Sequence, residues 1–323
     1  MPSSWTICGV QVAKGQSKEA LLSVAKLPTY TPIEVPVFIF RGKKAGPTLL
    51  CTAGLHGDEL NGIEILRRSL SNNVFKPEHG NILVVPLVNV YGFLQNSRGV
   101  PDGKDINRSF PGSKRGSLAK MLAYDLMNEV VPHADMVVDF HTGGAARDNY
   151  PHVRCDMSYE PNMTLAQAFE PEIVLHSPLI NRSFRRAVQF LDKPVMVVEA
   201  GESLRYDEHS IDQGVHLLAR LLGNLGIQET NLERSTTPTR YFSTSKWVRS
   251  TASGLFQSKF NPGDEVQKRQ VLGLVTDPYG RFKKSIRSTG EGILVGLNRN
   301  PIVSRGDALV HIAVGEQFAV GEK

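Results

Sequence analysis

Apolar residues along this chain fall into short runs of strand length, and most runs are followed by a stretch with helical spacing. TLLCTAG (48–54) precedes a loop and the amphipathic NGIEILRRSLSNNV (61–74). NILVVPLVNV (81–90) leads into a long polar segment and then LAKMLAYDLMNEVV (118–131), whose apolar residues recur at helical spacing. DMVVDF (135–140) and VMVVEAG (195–201) read as further buried strands, the second followed by SIDQGVHLLARLLGNLG, a helix predicted to end at Gly226. Residues 1–45 read as two or three short extended segments, with VPVFIFRG the clearest. Strands that alternate with helices predict an α/β catalytic unit, a mixed and mostly parallel sheet flanked by helices on both faces.

Past about residue 229 the pattern changes. NLERSTTPTR is a polar, helix-poor linker, and short strand-like segments then recur between closely spaced turns: GLFQSKF, NPGD, VLGLV, DPYG, GILVGL, RNP, RGD and LVHIAV. This predicts two parts, an α/β unit over 1–228 and a small β-rich capping domain over 229–323. The second part resembles the barrel-sandwich hybrid of lipoyl and biotinyl domains. Those domains carry a modifiable Lys at a hairpin tip, where this chain has RNP. A capping role is therefore expected here, and a swinging-arm carrier is not.

Composition narrows the class. At 323 residues the chain has room for about two domains, and 41% hydrophobic with 21% charged residues suits a globular core. No apolar run has the length of a membrane span. The first residues lack a basic segment followed by an apolar one, so cytoplasm is the expected location. The net charge of +5 is mild, and the basic clusters Arg182/Arg185/Arg186 and Arg281/Lys283/Lys284 are short. Ordinary solvated faces or a pocket for small anions are expected rather than a nucleic-acid groove. Three cysteines without a CxxC motif argue against both a disulfide framework and a zinc knuckle.

Candidate chemistry gathers at strand ends. His56 and Glu59 follow TLLCTAG directly, His141 follows MVVDF, and Glu199 lies at the end of VMVVE. In open α/β sheets, sites form where the carboxyl ends of strands converge. A close pair and then a distant His suit a catalytic zinc with three protein ligands and an open position. Such a zinc acidifies water and polarises a carbonyl, and Glu199 is placed to move the proton. Taken singly these residues also read blandly: HxxE is common by chance, His141 can be a satisfied strand-end histidine, and Glu199 a strand-edge ion pair. The long loop NSRGVPDGKDINRSFPG (96–112) adds Arg108, able to grip a carboxylate, with Asn107 beside it and Arg98 in reach of a developing oxyanion. Asn107 capping a turn and Arg108 bracing the loop is the plain alternative.

GLHGDE, DINRSFPG, DFHTGG and VVEAGE, in that order, resemble the succinylglutamate desuccinylase/aspartoacylase family, relatives of the zinc carboxypeptidases, over about residues 36–228. The resemblance implies one Zn2+ held by His56, Glu59 and His141, with Glu199 as general base and acid. It implies that Asn107 and Arg108 bind a substrate carboxylate and that Arg98 helps polarise the scissile carbonyl. The nine-residue step from Arg98 to Asn107 is longer than the family's pattern. Family members that take a dicarboxylic amino acid use a further Arg before the catalytic Glu, a stretch that here holds Arg182, Arg185 and Arg186. A tail Tyr also reaches the substrate in such enzymes, with Tyr241 and Tyr279 the candidates.

The expected function is zinc-dependent removal of an acyl group from a small N-acylated amino acid or related amine, with no nucleic-acid or membrane partner. A zinc carboxypeptidase acting on peptides would use the same ligands. An inactive binding protein is the reading from another class, and the presence of all four polar positions argues against it. The chain's helical faces leave homo-oligomer formation open.

Overall fold

A computed structural model describes residues 4–233 and 235–317, so the first three residues, Arg234 of the linker and the last six residues lie outside it. The centre is a run of four parallel strands. Lys44–Ala53 lies between His79–Val85 and Met136–Gly143, and Val195–Glu202 pairs with the far side of Met136–Gly143. The last six residues of Lys44–Ala53 and all but the first of Met136–Gly143 are buried. Burial on both faces explains why these strands read as continuous apolar runs.

Alternation along Lys44–Ala53 divides the core into two layers. Leu49, Cys51 and Ala53 pack with Ile65 and Leu66 of the helix Leu60–Ser71 and with Ile211 and Leu218 of the helix Glu208–Asn224. Leu50 faces the other way, toward Leu122, Leu126, Phe184 and Val188. The antiparallel strands Pro32–Arg41 and Ser17–Lys26 extend the sheet beyond His79–Val85. Pro32–Arg41 buries alternate residues, as the pattern of VPVFIFRG predicts.

The predicted helix over 118–131 is shorter than expected. It runs as Leu118–Asp125, widens into a π turn at Leu126–Val130 and tightens into a 3-10 turn at Val131–His133. Pro132 supplies no backbone N–H, so a regular α-helix cannot continue through it. Helix Glu208–Asn224 stops just before Gly226, whose φ of +66° is a left-handed conformation. No helix among the described residues is long and apolar enough to cross a membrane.

On its other flank the sheet continues through polar sequence. Arg147–Cys155 pairs antiparallel with Val195–Glu202 and parallel with Ile173–His176. The C-terminal segment then joins the same sheet. Arg240–Arg249 pairs parallel with Ile173–His176, Ala308–Gln317 pairs antiparallel with Arg240–Arg249, and Gly292–Asn298 returns to Arg147–Cys155. The strands Gly254–Ser258, Val271–Thr276, Lys283–Arg287 and Ile302–Val303 form a separate antiparallel sheet. Arg299 of the RNP turn pairs with Asp148 of Arg147–Cys155, at 2.6 Å.

Candidate active site

The register of the parallel strands sets the site. Glu199 lies opposite His141, and Ala53 opposite Phe140, so the chain leaves Lys44–Ala53 toward His56 at the same edge. The turn carrying His56 and Glu59 is fixed by close packing. A Cβ on Gly57 would stand 1.9 Å from the backbone carbon of Gly92, so this approach admits glycine alone. Asn89 then ties the neighbouring loop down: its Oδ1 accepts from the Gly92 N–H at 2.9 Å, and its Nδ2 donates to the carbonyls of Arg98 and Gly99.

His56, Glu59 and His141 are buried, and one ligand atom from each lies within 4.8 Å of the others. Nδ1 of His56 is 2.7 Å from Glu59 Oε1, and Nδ1 of His141 is 2.7 Å from Glu59 Oε2. The outer nitrogen of each ring meets a carboxylate: His141 Nε2 lies 2.7 Å from Asp139 and His56 Nε2 3.2 Å from Asp105. Asp139 is itself held by the Thr52 hydroxyl at 2.7 Å. Carboxylates behind both rings turn the two Nδ1 atoms inward, the arrangement that orients histidines on a metal. The donor set of two imidazoles and a carboxylate fits a zinc-type ion with a position left for solvent or substrate.

Electrostatics agree with that reading. Burial opposes charge on all three groups, and their mutual attraction overcomes it. Glu59 is thereby held well below the ordinary carboxylate range, while Asp139 and Glu59 hold the buried His141 ring well above the ordinary histidine value. His56 is raised as well, burial being outweighed by Glu59 and Asp105. A dication held by these three residues would take the place of those ring protons.

A cavity of about 480 Å³ opens from the cluster, a volume suited to a small ligand. Arg98, Asn107, Arg108 and Glu199 all line it with the three metal-type residues, so the residues of the four sequence motifs come together here. Their engagements differ. Arg98 donates to Glu59 at 3.1 Å and to Asp105 at 3.2 Å, and so braces the cluster. Asn107 Oδ1 accepts from the Phe184 N–H at 2.9 Å, while exposed Arg108 donates to the adjacent Asn107 carbonyl. Glu199, 8% exposed, receives Arg154 Nη1 at 2.9 Å and Asn149 Nδ2 at 3.0 Å.

Of the three arginines before Glu199, Arg185 lines the cavity, with its guanidinium on the Ser177 and Pro178 carbonyls. Arg186 stacks over Phe190, and Arg182 borders a different depression near Lys104. Neither tail tyrosine reaches the cavity: Tyr241 is buried in the core and Tyr279 is 76% exposed beneath Arg281. Trp247 and His311 reach it instead, their rings stacked at 4.4 Å. Sequence reasoning also passed over Asp139, Asn149, His152 and Arg154. Asp139 was discoverable, since a residue two before His141 on a strand shares its face. The other three lie on Arg147–Cys155, whose mixed composition carries no strand signal.

Comparison with known proteins agrees with this geometry. Residues 45–225 match the model of the succinylglutamate desuccinylase/aspartoacylase catalytic domain. N-alpha-acetyl-L-2,4-diaminobutyric acid deacetylase of Halomonas elongata is 30% identical over 301 residues, covering 87% of this chain and 86% of its own. A crystal structure of succinylglutamate desuccinylase/aspartoacylase from Rhodobacter sphaeroides superposes with a TM-score of 0.82 at 25% identity, over 92% of this chain and 94% of that one. The product-bound ectoine utilization protein EutE (DoeB) from Ruegeria pomeroyi shares the fold, with a TM-score of 0.82 at 23% identity and coverage of 93% and 95%. With four ordered motifs converging on one cavity and the match spanning more than half its length, this chain belongs to the succinylglutamate desuccinylase/aspartoacylase family.

Proposed function

We propose that this protein is a zinc-dependent amide hydrolase that releases the acyl group from a small N-acylated amino acid. The observation that carries the reading is the placement of Glu199 in the same cavity as the His56–Glu59–His141 cluster, on the strand directly beside His141. A zinc ion bound by those three residues supplies Lewis acidity toward a carbonyl oxygen and lowers the proton affinity of water. Glu199 takes the proton from the attacking water and passes it to the departing nitrogen. Arg154 and Asn149 each hold one of its oxygens, fixing the carboxylate for both transfers. Arg98 places a guanidinium beside the cluster for the negative charge that develops on the carbonyl oxygen. Arg108 and Asn107 orient the substrate through its carboxylate.

Residues 229–323 act in this reading as a cap on an α/β unit of residues 1–228. Trp247 and His311 close one side of the cavity, which limits it to small substrates. The Halomonas relative, by its name, deacetylates an N-acetyl diamino acid, and Nα-acetyl-L-2,4-diaminobutyrate is the first compound to assay. The test measures bound metal in protein purified without added metal, then compares hydrolysis of N-acetyl amino acids with that of short peptides. About one zinc per chain and turnover confined to the acyl amino acids are expected. A chain that stays metal-free in added zinc, or one that prefers peptides, would refute the proposal.

A further inference from the structure

Side chains that line the cavity leave some buried polar atoms without a partner among the described residues, and one of them is a ring nitrogen of His152. His152 is 2% exposed, its Nδ1 lies 2.7 Å from the Tyr150 carbonyl oxygen, and its Nε2 has no partner among the described residues. A carbonyl can only accept, so Nδ1 carries the ring proton and Nε2 presents a lone pair. Burial pushes the ring's proton affinity below the ordinary histidine value against the pull of Glu199, which keeps that lone pair available. Leaving a buried acceptor without a partner is destabilising, so its presence calls for a ligand or an ordered water.

The strand ladder settles where the ring stands. His152 is the direct antiparallel partner of Glu199, and such partners project from the same face of a sheet. Arg154, Val197 and Glu199 line the active-site cavity, whereas Pro151, Val153, Val198 and Ala200 line a separate cavity of about 230 Å³ on the opposite face; His152 borders both, and its pairing with Glu199 places its side chain with the active-site set. The carboxylates around the active-site cavity are already engaged. Glu59 is held by His56, His141 and Arg98, Asp139 by His141 and Thr52, and Glu199 by Arg154 and Asn149.

Building on the deacylase reading, we propose that His152 Nε2 accepts a hydrogen bond from the N–H of the scissile amide and keeps hold of that nitrogen as it departs. Water's oxygen bonds to the acyl carbon, the C–N bond breaks, and the proton that Glu199 removed from water goes to the nitrogen. His152 stays in one protonation state throughout and acts by position. The site thereby selects secondary amides over esters and over amides that lack an N–H.

The test pairs N-acetyl-L-alanine with O-acetyl-L-lactate, in which oxygen replaces the N–H. In zinc-loaded protein, His152→Phe should lower kcat/KM for the amide about tenfold, the worth of one hydrogen bond, and leave the ester unchanged, while His152→Gln should recover part of the loss. Independently, ring-nitrogen NMR of the zinc-loaded Glu199→Gln chain should show the Nε2 signal moving with the amide and not with the ester. An Nε2 signal that ignores both compounds or answers both equally overturns the assignment of His152, as does an equal loss of amide and ester turnover in His152→Phe. A shift with the amide alone, when the zinc-loaded chain with Glu199 intact hydrolyses neither compound, nor Nα-acetyl-L-2,4-diaminobutyrate, nor any other N-acetyl amino acid, would uphold His152 and refute the deacylase reading instead.

Discussion

Asp139→Asn is the most informative perturbation of the cluster, because it changes a charge and almost no volume. Asp139 is buried, with one oxygen 2.7 Å from His141 Nε2 and the other accepting from Thr52 at 2.7 Å. Asparagine can keep its oxygen on the His141 ring and turn its amide nitrogen to Thr52, whose hydroxyl rotates to accept. One charge-assisted bond then becomes a neutral one, a loss of about 1–2 kcal/mol in holding the ring and in its basicity. Each 1.4 kcal/mol is tenfold in affinity, so zinc should bind about tenfold more weakly, within the range known for such outer carboxylates. The proton on His141 works the other way. Asp139 is a main cause of that ring's raised proton affinity, so removing its charge also makes the proton easier to displace. The loss should be largest at pH 8, where proton competition is least, and smaller toward pH 6. Competition with a chromophoric zinc chelator across this range measures both effects. An unchanged affinity at pH 8, or one loss independent of pH, would refute the role given to Asp139.

Three further outcomes are expected. Glu199→Gln preserves the hydrogen-bonding shape beside Arg154 and Asn149 but removes the proton carrier, so metal content should persist while kcat falls by about 10²–10⁴-fold; near-normal turnover at normal zinc content would exclude Glu199 as the base. Gly57→Ala drives a methyl group into the Gly92 backbone, and calorimetry should find a destabilisation of about 1–3 kcal/mol together with weaker zinc binding, since His56 is the adjacent residue. Burial, reinforced by the cationic neighbours Arg154 and Arg147, pushes the His311 ring from 6.5 down to about 3. The unfolded chain therefore takes up a proton at this residue between pH 6.5 and 3 that the folded chain refuses, and stability falls as pH drops through that window. His311→Gln should flatten this part of the acid-unfolding curve by a few kcal/mol, and a curve of unchanged slope would show that His311 is not a source of acid lability.

Much of the architecture could be read from hydrophobic periodicity because the central strands are covered on both faces. Burial on two sides selects apolar residues at every position, and that is why TLLCTAG, DMVVDF and VMVVEAG stand out. The polar residues that close such runs gather where the carboxyl ends of the strands converge, so His56, Glu59, His141 and Glu199 were identifiable as a group without coordinates. Arg147–Cys155 shows where this logic stops. One part of it faces the cavity, its register shifts opposite Glu199 and Gly201, and a shift of one residue exchanges the faces. No local pattern could then assign Asn149, His152 and Arg154 to the cavity.

The chain's own order of residues thus determined the chemical inventory and the edge at which it gathers, since strand burial and turn chemistry are local properties. Tertiary structure alone decided which partner each group has. Asp139 behind His141 and Arg154 beside Glu199 follow from strand pairing, while Trp247 and His311 at the cavity follow from the return of C-terminal strands to the main sheet. These contacts join residues far apart in sequence, and they are set by the packing of the whole sheet rather than by the preferences of any one segment.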